Sequence, residues 1–134
     1  MSALIPDAGL NYRFTAPSLP DTPRIAREWV ALILRNAGRA ELAESARLCT
    51  SEVVTNAHQH TCSPRIVVDV SFTDGGRVTV AVHDSAPGAR LPCAPADTEA
   101  GRLALVEACA DAWAVTEGGD GKAVWFSFGR QRRD

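Results

Sequence analysis

Lysine is nearly absent from this chain. Thirteen of its fourteen basic residues are Arg, and Lys122 is the only Lys. With abundant Ala, that usage is associated with GC-rich bacterial genomes; it is an association of composition, not a physical inference. Positive charge is not in excess either. The net charge is −2 and the pI about 5.9, which argues against a nucleic-acid surface. The one basic cluster, Arg130, Arg132 and Arg133, reads as a solvated C-terminus. No apolar run approaches the roughly eighteen residues of a membrane span. The longest, Trp29 to Leu34, reads as part of a helix, so no membrane partner is expected. The start, MSALIPDAGL, lacks a basic segment followed by a long apolar stretch, so no secretory signal is expected. Cys49, Cys62, Cys93 and Cys109 form no C-x-x-C pair and read as free thiols in a reducing cytosol. The expected location is therefore cytoplasmic.

What is present is enough apolar material for one domain: 134 residues, 46% hydrophobic. Residues 1–9 read as a flexible N-terminus, 10–129 as the domain and 130–134 as a basic tail. Leu10 to Ala16 alternates as a strand does. Thr22-Pro23 has the form of a helix start, a hydroxyl N-cap followed by Pro. That helix is expected over 23–37, with Ile25, Trp29, Leu32 and Ile33 inward and Gly38 ending it. A second helix is expected over 40–61, with Leu42, Ala46, Cys49, Val53 and Ala57 as its buried stripe. Residues 65–73 and 77–83 alternate around Asp74-Gly75-Gly76, a strong hairpin signal. Residues 84–97 form a long loop rich in Pro and Ala, of a length that usually has a function such as a lid. A third helix is expected over 98–113, with Leu103, Val106, Ala110 and Trp113 inward. A closing hairpin, 114–117 and 122–128, turns at Gly118-Gly119-Asp120-Gly121. The order β-α-α-β-β-loop-α-β-β predicts an α+β two-layer sandwich. Its sheet is mostly antiparallel and covered on one face by about three helices.

The chemistry concentrates in SEVVTNAHQHTC, residues 51–62. On a helix Glu52, Asn56 and His60 share one face, beside the apolar stripe. A zinc reading uses His58, His60, Cys62 and Cys49. A structural zinc site takes four ligands, usually as spaced pairs, and no second pair exists; His58 and Gln59 read more simply as a solvent-facing turn. A magnesium reading uses Asn56, because Mg²⁺ takes one or two protein oxygens and completes its shell with waters and phosphates. Glu52, one turn away, is then placed to accept a proton from a group attacking a γ-phosphate. His60 is a candidate phosphate contact. A purely structural polar row remains the third reading.

E-x-x-x-N-A-x-x-H on a second helix is followed by a hairpin, an Asp at a strand end, a long loop and a Gly-containing helix start. This arrangement, over roughly residues 10–129, resembles the GHKL ATPase/kinase superfamily with its Bergerat fold. It is most similar to the small single-domain branch that includes anti-sigma-factor serine kinases. SEVVTNAHQH resembles that branch's N-box, and LALVEACADAW and GKAVWFSF its later signatures. The resemblance implies ATP and Mg²⁺ as cofactors, Glu52 as general base and Asn56 as the Mg²⁺ ligand. It implies Asp84 as acceptor for the adenine amino group and Gly88 as a close backbone approach to the base. It implies Gly101, Arg102 and Leu103 as backbone donors to the phosphates. The implied partners are a sigma factor and a STAS-type antagonist, and relatives of this branch often dimerise.

The sequence also departs from the family. Where D-x-G-x-G is usual it reads Asp84-Ser85-Ala86-Pro87-Gly88. Where G-x-G-L is usual it reads Ala100-Gly101-Arg102-Leu103. A Thr common in the closing strand is Ala123. Two functions follow as expectations: an ATP-dependent protein-serine kinase acting by partner switching in bacterial transcriptional control, favoured by Glu52 and Asn56; or a binding module of the same fold without phosphoryl transfer, favoured by Ala86, Ala100 and Ala123.

Overall fold

The computed structural model describes residues 10–60, 64–73, 75–84, 103–118 and 121–129. The expected lid over 84–97 lies outside these residues apart from Asp84, as do the N-terminal segment 1–9 and the tail 130–134. The elements are β1 (Leu10–Pro17), α1 (Thr22–Asn36), a 3₁₀ turn (Ala40–Leu42), α2 (Ala43–His60), β2 (Arg65–Phe72), β3 (Val78–Asp84), α3 (Ala104–Cys109), β4 (Ala112–Gly118) and β5 (Gly121–Phe128).

The strands form one sheet in the order β1-β2-β3-β5-β4, and all four pairings are antiparallel. Register follows the alternation of the sequence. Phe14, Val68, Val82, Val124 and Val115 stand opposite one another in a row across the sheet. Tyr12, Val70, Val80, Phe126 and Trp113 make the next row. Both rows belong to the core, because residues two apart on a strand share a face. The intervening row, Arg13, Asp69, Ala81, Trp125 and Ala114, has the opposite parity and lies on the other face. A slip of one residue would exchange the two sets.

α1 and α2 pack on each other and on the apolar face. The buried face of α1 is Ala26, Val30, Ala31 and Leu34, not the expected larger set. Ile25 and Leu32 are 46% and 59% exposed, while Trp29 and Ile33 are half-buried. Small side chains let this helix approach its neighbours closely. Trp29 still contributes at the edge, its ring centroid 5.4 Å from that of Phe14. Thr22 is not a side-chain N-cap. It lies inside the helix, donates its hydroxyl to the Pro17 carbonyl at 2.6 Å and accepts the Leu19 N–H at 3.0 Å. Its hydroxyl thus holds the strand-to-helix turn. At the other end Gly38 has φ +78°. Its N–H bonds the Arg35 carbonyl at 3.1 Å, and the Arg39 N–H bonds that of Leu34 at 2.8 Å. That pair of bonds is a Schellman ending, which favours Gly in the left-handed position. Arg39, 8% exposed, then ties the connection down through Glu41 at 2.7 Å and the Gly76 carbonyl at 2.6 Å.

The expected second helix is two pieces, the 3₁₀ turn and α2. Ala43, Ala46, Cys49, Thr50, Val53 and Val54 form its buried stripe, while Leu42 and Ala57 are only half-buried. The third helix is much shorter than expected. It ends at Cys109, with Ala110 already extended (φ −90°, ψ 153°). Trp113 is therefore a strand residue, tied back to α3 by its indole N–H donating to Glu107 at 2.7 Å. Its spacing from Ala110 mimicked a helical step, but pairing with β5 fixed it as strand.

Candidate functional site

Three segments distant in sequence meet beside α2. Strand alternation puts Val82 and Asp84 of β3, and Lys122 and Val124 of β5, on the helix-covered face; Val82 stands opposite Val124. Val53, Asn56 and Ala57 lie at i, i+3 and i+4 on α2 and so share the surface above them. These seven residues line a small recess, open to solvent, with aliphatic walls and few polar groups; its enclosed space is about 10 Å³, roughly that of one water.

Asp84 and Asn56 are the buried polar groups of this recess, 6% and 8% exposed. The Lys122 backbone N–H donates to Asp84 Oδ1 at 3.1 Å, so the start of β5 orients the carboxylate at the end of β3. A carboxylate is an acceptor only, the chemistry that recognises an exocyclic amine. Asn56 offers a hard carboxamide oxygen in a site of low exposure, the kind of single donor that Mg²⁺ takes alongside phosphates.

Glu52 lies elsewhere. It does not line the recess. Its Oε1 accepts the Val106 N–H at 3.0 Å and its Oε2 the Leu105 N–H at 3.3 Å. One turn earlier, Cys49 Sγ approaches the Leu105 carbonyl at 3.8 Å. Burial, then the neighbouring Cys109 and Glu52, push the Cys49 thiol up to about 12, so it is a protonated core group. α3 is thus docked on α2 by two successive turns of α2.

His60 is the last residue of α2, but its side chain lies outside what the structure describes. Gly88, Gly101 and Arg102 also lie outside the described residues. Leu103 stands at the N-cap position of α3 with its side chain in the core, 1% exposed. His58 is not a solvent-facing turn residue. It is half-buried, with Nδ1 hydrogen-bonded to Ser18 Oγ at 2.8 Å, and so ties α2 to the strand-to-helix connection. Cys62 lies outside the described residues, and among those described no three His, Cys, Asp or Glu side chains gather as a metal site. Sequence reasoning missed Lys122 and the walls Val82 and Val124. Lys122 carried one usable signal, as the single Lys in a chain that otherwise uses Arg. Ala123 stands opposite His83 and Thr116, on the other face of the sheet, so its departure from the family pattern removes no side chain from the recess.

A family model for the histidine kinase-like ATPase domain matches residues 16–128. The chain belongs to that family. As a histidine kinase-like ATPase domain of the GHKL superfamily, it has ATP as the nucleotide its fold serves. The RsbU and RsbW domains of Rv1364c from Mycobacterium tuberculosis, known from a crystal structure, are similar to it. The TM-score is 0.72 over 93% of this ATPase domain, at 19% identity. This chain spans about a third (34%) of that protein's chain. At such identity the likeness is one of fold. No curated protein matches the sequence.

Proposed function

We propose that this ATPase domain is an ATP-binding regulator, acting as a protein-serine kinase of the anti-sigma-factor type through partner switching. The observation that carries the reading is the convergence of Asn56 and Asp84 in one aliphatic-walled recess. Asp84 accepts the adenine amino group, and Val53, Ala57, Val82 and Val124 sandwich the base. Asn56 Oδ1 would hold Mg²⁺, and the ion would supply neutralisation of phosphate charge. Residues around Gly101, Arg102 and Leu103 supply backbone donors to those phosphates, with His60 a further contact and Gly88 a close approach to the base. In transfer, a serine hydroxyl oxygen of a STAS-type protein bonds to the γ-phosphorus. The bond from that phosphorus to the β–γ bridging oxygen breaks, ADP leaves, and the hydroxyl proton passes to Glu52. Phosphorylation then decides whether the domain holds the antagonist or a sigma factor, and a homodimer is the expected assembly.

Calorimetry with Mg-ATP tests the binding, with Asn56→Ala expected to lose most of it. Transfer of labelled γ-phosphate to a STAS-type protein, lost in Glu52→Ala, tests the kinase. A second reading, regulation by binding without transfer, is favoured by the engagement of Glu52 with α3 rather than with the recess. Binding of Mg-ATP with no transfer to any STAS-type protein would decide for it.

A further inference from the structure

α3 has six residues, and among the described residues before it none caps it: Leu103 occupies the N-cap position without a side-chain bond. So short a helix is not stable alone. Its exposed N–H groups ordinarily need a side-chain acceptor from the preceding residues. Here the acceptor comes from another helix. Both oxygens of the Glu52 carboxylate are engaged, one with Leu105 N–H and one with Val106 N–H. Another α2 contact is sulfur to carbonyl, from Cys49 to Leu105. Val106 and Leu103 supply the apolar anchor, both essentially fully buried.

We infer that Glu52 is the N-terminal cap of α3, supplied by the neighbouring helix α2, and that this clamped arrangement is a resting form of the domain. The carboxylate that fastens α3 to α2 is the one assigned to proton transfer in the kinase reading, and that second half of the inference rests on that reading. The two roles compete. Both carboxylate oxygens face the amides of α3, so neither is directed at a group bound in the recess. In this arrangement Glu52 also stands outside the recess that Asn56 lines. For the carboxylate to serve as base it must leave at least one amide, and α3 then loses its cap. Glu52 is a positioning residue for α3 before it is anything else.

The test is amide NMR and hydrogen exchange on the whole chain. Without nucleotide, the Leu105 and Val106 amide resonances should both move in Glu52→Gln at constant pH, because each amide loses a carboxylate acceptor. Exchange at these two amides should quicken about tenfold in Glu52→Ala, with Val68 and Val80 in the sheet unchanged. Amide resonances that stay in place in Glu52→Gln, or a loss of protection shared by the sheet, would overturn the clamp. With saturating Mg-ATP, wild type and Glu52→Gln should exchange alike at both positions. A difference that persists overturns the resting form but not the clamp. If calorimetry finds no nucleotide binding, the kinase reading and the resting form fail together, and the nucleotide-free spectra still decide the clamp.

Discussion

Asp69 shows how one residue's surroundings set a pH response. It sits on the sheet face away from the helices. Arg13 donates to both its oxygens, at 2.7 and 3.0 Å, and His83 Nε2 lies 3.2 Å away. Burial pushes its carboxyl up, but the bonds from His83 and Arg13 and their charges outweigh burial and bring it from 3.8 to about 2. A folded value below the unfolded one means the unfolded chain takes up the proton first. The contribution is therefore complete above about pH 4 and is lost as pH falls toward 2. It is worth roughly 1 kcal/mol, discounted because Arg13 is 67% exposed. Urea unfolding should show Asp69→Asn less stable than wild type by about that amount near pH 6, with the gap closing by pH 2. At the candidate site, Asp84→Asn keeps the shape and an oxygen for the Lys122 N–H but removes the charge. Its Mg-ATP affinity should fall about tenfold by calorimetry, the scale of one charge-assisted hydrogen bond. Asn56 was legible from its spacing to Glu52 on one helix face, and Asp84 from the resemblance, which calls for an Asp at a strand end. The cap made by Glu52 was not, since the same spacing that announces a base also reaches a neighbouring helix whose position no local pattern gives.

Among the elements, the strands were the most legible. Alternation in RIVVDVSF and VTVAVHD both locates β2 and β3 and assigns their faces, because period two leaves one arrangement that buries the Val residues. α1 was legible as a helix but not in its orientation. Its largest apolar residues invite inward placement, yet α2 and the sheet approach the Ala and Val side. Two substitutions separate these views by chemical denaturation. Leu32→Ala should change stability by under about 0.5 kcal/mol, because the side chain is 59% exposed. Ala31→Leu, at a fully buried position, should cost about 1–3 kcal/mol through overpacking. The reverse ranking would mean that α1 is rotated from the orientation described. The boundary of α3 was hidden for a related reason. Leu103, Val106, Ala110 and Trp113 keep helical spacing, but Asp111 N–H bonds the Ser127 carbonyl at 2.9 Å and begins the pairing with β5. A contact between residues sixteen apart in sequence overrode the local pattern, and the local pattern alone carries no trace of it.

At the scale of the whole molecule, the recess exists only in the folded chain. Its lining comes from the middle of α2, the end of β3 and the start of β5, which meet only after β5 pairs with β3 and α2 settles on the sheet. The unfolded chain therefore has no equivalent site, and a ligand of the recess must stabilise the fold by mass action. At a free Mg-ATP concentration a hundred times the dissociation constant, the gain is about 2.7 kcal/mol. For a domain of this size that raises the thermal midpoint by roughly 10 °C. Asn56→Ala should behave differently from a general destabilisation. Its unliganded midpoint should move by only a few degrees, but the rise with Mg-ATP should nearly vanish, while the smaller effect of ATP in EDTA should survive. That pattern in a thermal scan assigns Asn56 to the metal-bearing part of the nucleotide. An equal loss with and without Mg²⁺ would assign it to the base or the wall instead, and an unchanged rise would remove it from the site.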